Sequence, residues 1–66
     1  MISDREIYQS ANTLISQHGE LAPIQAALRA DAMANSGDLD GYAVWRRILK
    51  AVDNMLVVEP PSNALN

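Results

Sequence analysis

Apolar residues recur along this chain in three helical stretches, with glycines between them. In the first, Ile7, Ala11, Leu14 and Ile15 follow at helical spacing, with Tyr8 beside them. Its start is well marked. Ser3 and Glu6 have the Ser-x-x-Glu spacing of a capping box, in which each side chain satisfies the other residue's backbone N–H. Ile2 and Ile7 flank that box at the hydrophobic-staple positions. Asp4 places negative charge in the first turn, where the helix dipole favours it. Gly19 is the predicted stop, since glycine tolerates the left-handed conformation that ends many helices, and His18 falls in the last turn.

The second predicted helix begins between Glu20 and Ala22 and carries Pro23 in its first turn, where the missing N–H breaks no intrahelical bond. Ile24, Leu28 and Ala32 recur at i, i+4 and i+8, with Leu21 one turn earlier and Ala27 and Met33 on the flanks. This stripe is the predicted core face. A second row, Ala26, Ala30 and Ala34, would admit a close neighbour, but the helix propensity of alanine is sufficient to explain it. Asn35, Ser36 and Gly37 end the helix. Asp38 caps a third one, with Asp40 in its first turn. Leu39, Tyr42, Trp45, Ile48, Leu49, Val52 and Leu56 cover one face of that helix, while Arg46, Arg47, Lys50 and Asp53 take much of the other. Gly41 lies inside it at a cost of about 1 kcal/mol relative to alanine, which points either to a frayed first turn or to the close approach of another helix backbone, the second being favoured. Pro60 and Pro61 cannot continue the helix.

These elements predict an all-α fold: a three-helix domain over residues 1–56, followed by an extended or disordered tail over 57–66. Helices 2 and 3 would form an antiparallel hairpin with helix 1 packed across it. The expected core is Ile7, Leu14, Ile24, Leu28, Trp45, Ile48, Leu49 and Val52, arranged around the single Trp.

Composition narrows the function. Sixty-six residues make one domain with a small core. Chains of this size are commonly reinforced by disulfides, metals or partner subunits. With no Cys and one His, disulfides are excluded and a thiolate or imidazole metal cluster is not expected. That leaves helix packing and self-association. The net charge of −3 has the wrong sign for a nucleic-acid or anionic-membrane binder. No apolar run approaches the roughly 20 residues of a membrane span. The segment MISDREIYQS has neither the basic nor the apolar region of a signal peptide, so the expected location is the cytoplasm.

The pattern Ala27-x-Arg29-Ala30-Asp31, then Ser36-Gly37-Asp38-Leu39-Asp40-Gly41, then Val44-Trp45-Arg46-Arg47-Ile48, resembles a family of small uncharacterised alphaproteobacterial proteins. The resemblance runs from Ser3 to about Asp53. Its most specific part is the Gly-Asp-Leu-Asp-Gly turn followed by the Trp and the basic pair. The family has no assigned activity, so the resemblance implies a bacterial cytoplasmic protein and transfers no functional residue.

Four chemistries can be weighed on the residues. Asp38-x-Asp40-Gly41 echoes a calcium loop, but aligning Gly41 with the loop glycine puts Arg47 where a bidentate Glu belongs. The second and third helices could form a helix-turn-helix with a basic patch at Arg46, Arg47 and Lys50, yet the end that would meet the bases carries Asp38 and Asp40. His18 has no Ser, Cys or acidic pattern beside it that marks a catalytic group. Protein interaction is favoured, with Met33, Met55, Leu56, Val57 and Val58 as the apolar residues least obviously used within one chain. The expected function is therefore a small, self-associating interaction or structural module, a homodimer or a binder of another protein. It would have no catalysis, cofactor, metal or small-molecule substrate. A helix-turn-helix-like DNA-binding regulator or accessory factor is the alternative.

Overall fold

A computed structural model describes residues 2–57; Val58 and the rest of the expected tail lie outside the described residues. The protein is all-helical, with no strand among the described residues. Helix α1 spans Asp4–His18, a short 3₁₀ turn covers Gly19–Leu21, α2 spans Ala22–Asn35 and α3 spans Leu39–Leu56. The two interior boundaries fall at the predicted glycines, and both glycines have positive φ: +57° at Gly19 and +81° at Gly37.

Each boundary has a specific hydrogen-bonding solution. At the start of α1 the capping box is complete. The Glu6 N–H donates to Ser3 Oγ at 3.2 Å, and the Ser3 N–H donates to Glu6 Oε1 at 3.1 Å. Pro23 occupies the first turn of α2. At the end of α2, the Asp38 N–H donates to the Met33 carbonyl and the Gly37 N–H to the Ala34 carbonyl, at 2.9 and 3.1 Å. This is a Schellman arrangement, which requires the left-handed residue that Gly37 supplies. Asp38 then turns from closing one helix to opening the next: its Oδ1 accepts from the Gly41 N–H at 2.8 Å.

Gly41 corrects the expectation of a close helix backbone: its near neighbours are the side chains of Asp38 and Met33. A Cβ there would lie 2.7 Å from Asp38 Oδ2 and 2.8 Å from Met33 Sδ. Met33 can swing away. Asp38 cannot without releasing the cap, worth about 0.5–2 kcal/mol. Gly41→Ala, which adds about 1 kcal/mol in an ordinary helix interior, is thus expected to lower the thermal midpoint here. In an Asp38→Ala background the same change should raise it. Melts of the four variants followed by far-UV circular dichroism check both signs.

All three helices touch one another, most extensively α2 with α3. Their shared core is Ile7, Ala11, Leu14, Ala22, Ala26, Ile48, Ala51 and Val52, with Ile2, Ile15, Val44, Trp45, Leu49 and Met55 partly buried against it. Among the described residues no polar or charged side chain is buried. Of the expected core, Ile7, Leu14, Ile48 and Val52 are buried. Trp45 and Leu49 are only half-buried, so the indole flanks the core rather than centring it.

Ile24 and Leu28 correct the sequence reading outright. Each is more than half exposed, and α2 turns Ala22, Ala26 and Ala30 inward instead. With 3.6 residues per turn, the Leu21/Ile24/Leu28 row and the Ala22/Ala26/Ala30 row lie on opposite sides of the helix. Only one of them can face α1 and α3. The large residues Ile7, Leu14, Ile48 and Val52 already fill the space between the helices. Close packing therefore selects the row of methyl groups from α2. Of the alanine row identified in the sequence, Ala26 and Ala30 are buried and Ala34 is exposed.

Candidate interaction surface

The inversion of α2 leaves a row of large apolar side chains on its outer side. Leu21 is 58% exposed, Ile24 55% and Leu28 56%, at i, i+3 and i+7. Ala32, also exposed, continues the row. No charged residue lies within the row. Asp31 and Arg29 are exposed on its two flanks. Apolar side chains of this size scattered singly on a surface need no explanation, but Ile24 and Leu28 on α2, with Leu21 at the end of the 3₁₀ turn before it, stand in register.

The residues singled out from the sequence are distributed differently. Met33 is half-buried and lies over Gly41. Met55 is partly buried and packs against the core. Leu56 and Val57 are exposed at the end of α3, Val57 to 73%. Val58 lies outside the described residues. Leu56 and Val57 thus form a small apolar end, while Met33 and Met55 serve packing within the chain. The sequence places Ile24 and Leu28 in the expected core, with Leu21 one turn before them, and so does not mark this row as surface. The available signal was the row Ala22, Ala26 and Ala30, which no polar residue interrupts.

The basic residues are largely engaged. Arg47 bridges to the Asp4 carboxylate through Nη2 and donates from Nη1 to the Ile2 carbonyl at 3.3 Å, fastening the start of the chain to the middle of α3. The Arg46 guanidinium lies 5.9 Å from the centre of the Tyr42 ring. Lys50 is exposed, and Asp53 lines the same shallow groove as Arg46, Arg47 and Lys50. A carboxylate at that edge opposes the approach of a phosphate. On another side, Arg29 stacks over Trp45 at 5.3 Å, a cation–π contact between α2 and α3 that covers the half-buried indole. The groove beside that stack is open and is lined by the polar face of α1, including Gln9, Thr13 and Gln17.

Asp38 is engaged as a cap, and among the described residues no three His, Cys, Asp or Glu side chains are grouped to hold a metal ion. No described helix is long and apolar enough to cross a membrane. No family model, curated protein or solved structure matches the chain.

Proposed function

We propose that this protein is a self-associating interaction module, acting in the cytoplasm without catalysis of its own. The observation that carries the reading is the distribution of large apolar side chains between inside and outside. Among the described residues, five of the nine buried hydrophobic residues are alanines: Ala11, Ala22, Ala26, Ala30 and Ala51. Meanwhile Leu21, Ile24, Leu28, Leu39, Leu56, Val57 and Tyr8 are exposed. A domain below about 70 residues gains little from a core built of methyl groups and has much to gain from covering its outward leucines.

The reading includes a specific arrangement, in which α2 and α3 form an antiparallel hairpin and α1 packs across it. Two pairings support it. Met33 lies over Gly41, and Arg29 over Trp45, so positions fall along α2 as they rise along α3. The Asp4–Arg47 bridge supports the placing of α1. The likeness of the Gly37–Gly41 turn and Trp45 to the alphaproteobacterial family supports membership of that group on those residues.

Self-association is expected to appear as a weight-average mass that rises with concentration and reaches twice the 7.2 kDa of one chain. Sedimentation equilibrium measures it. A mass that stays at that of one chain up to millimolar concentration would sink the proposal.

A further inference from the structure

We infer that Ile2, just ahead of the α1 capping box, is a strap across α3 that Arg47 latches, and that it swings open while the helices stay folded. Three observations carry the inference.

The first is where Ile2 lies. Its side chain is half-buried against the core cluster. It lines the groove that runs along the polar face of α1 past Arg29 and Trp45. It also lines a second groove, beside Asp40, Ala43, Val44 and Arg47. No other residue is shared by the two. Ile2 is therefore the wall between them. With the strap open they become one trough, floored by the adjacent α3 residues Val44 and Trp45.

The second is how Ile2 is attached. It precedes the helix, and Ser3 after it is extended, with φ −84° and ψ 162°. The capping box ties Ser3 to Glu6 through hydrogen bonds in which Ile2 takes no part. The start of α1 thus keeps its cap whether Ile2 is docked or free. Beyond its own side chain, Ile2 is held by Arg47, whose Nη1 donates to the Ile2 carbonyl at 3.3 Å. Nη2 of the same guanidinium pairs with Asp4. That carboxylate aims Arg47 at the carbonyl, which makes Asp4 a positioning residue.

The third is energetic. Burying one isoleucine and ordering its backbone and side chain are of similar size and opposite sign. The balance is then set by the Arg47 contacts. These are exposed: the Arg47 side chain is 42% accessible and that of Asp4 87%. An exposed pair of this kind biases an equilibrium by about fivefold at most. Such a latch closes the strap in dilute salt and yields to screening. It does so well below the cost of global unfolding, as local openings do.

The population-weighted chemical shift of the Ile2 methyl groups measures the closed-to-open ratio. Acrylamide quenching of Trp45 follows the trough, and far-UV circular dichroism follows the helices. Between about 10 mM and about 0.5 M sodium chloride, a range over which the screening length falls severalfold, the ratio in the wild-type chain should drop by up to about fivefold. Trp45 quenching should rise with it, at unchanged helicity. Arg47→Met, which keeps helix propensity, should be open at both salt concentrations, and Asp4→Asn should move part of the way. If Arg47→Met loses helicity, Asp4→Asn and the wild-type salt series decide. An Ile2 methyl shift that is docked and indifferent to salt and to both variants overturns the latch. A shift at the free value in dilute salt overturns the strap. Release of Ile2 only together with loss of helicity in the wild-type chain makes the opening global and overturns it too. Opening that leaves Trp45 quenching unchanged overturns the shared wall.

Discussion

Ala26→Leu is expected to remove most of this protein's stability. Ala26 has no accessible surface and belongs to the core that all three helices share. Leucine would add three carbons where Ile7, Leu14, Ile48 and Val52 already fill the space. Overpacking of this kind costs about 1–3 kcal/mol and occasionally more. A core of this size rarely supplies more than about 3–5 kcal/mol in total, so one substitution consumes most of the margin. Two residues further along the same helix the sign of size reverses. Leu28→Ala removes an exposed side chain, and at dilutions where the chain is a single molecule it should change stability by no more than about 0.5 kcal/mol. Urea unfolding of both variants by circular dichroism at low micromolar concentration makes the comparison. If Ala26→Leu folded as well as the wild-type chain while Leu28→Ala did not, α2 would be facing the other way.

The second large effect is expected at Ile48→Ala. Ile48 is 2% exposed and stands one turn from Val52, the largest side chain that is fully buried among the described residues. Both project from α3, the helix that meets α1 and α2. Removing a buried isoleucine to alanine costs about 2–5 kcal/mol, from lost burial and from the cavity left behind. The neighbouring alanines Ala22, Ala26 and Ala51 have no longer side chain with which to fill the gap, which puts the expected loss in the upper part of that range. Leu49→Ala, at a half-buried position, should cost clearly less. Urea unfolding checks it: Leu49→Ala should keep a cooperative transition at a lower midpoint and unchanged slope, while Ile48→Ala should show little or no folded baseline.

These two helices show how far the sequence reading reaches. Boundaries were legible because each is written in local chemistry. Ser3 and Glu6 form their box, Gly19 and Gly37 take positive φ, and Asp38 caps α3. None of these depends on a distant residue. The buried face of α3 was largely legible too, because Arg46, Arg47, Lys50 and Asp53 mark the opposite side. On α2 that contrast is missing. Both of its candidate faces are apolar, so periodicity finds two stripes and hydropathy ranks the larger residues first. The choice between them is made by the separation of the helices, a tertiary quantity that no window of sequence contains. The place of Trp45 was hidden for the same reason. The indole is the largest apolar group, but Arg29 covers it from α2 and the middle of the core is left to smaller residues. The exposure of Ile24 and Leu28 was hidden by the same choice of face, whereas Met33 and Met55, taken from the sequence as candidate surface, are partly buried.

Arg47 joins the first residues to α3 by charge and a backbone oxygen, whereas the centre of the molecule is held by hydrocarbon alone. These two kinds of bond answer a lyotropic salt in opposite directions. Sulfate strengthens the exclusion of apolar groups from water while its ions shield an exposed pair. Concentrated sulfate would therefore tighten the apolar contacts of this protein, that of Ile2 included, while loosening the Asp4–Arg47 pair in the same solution.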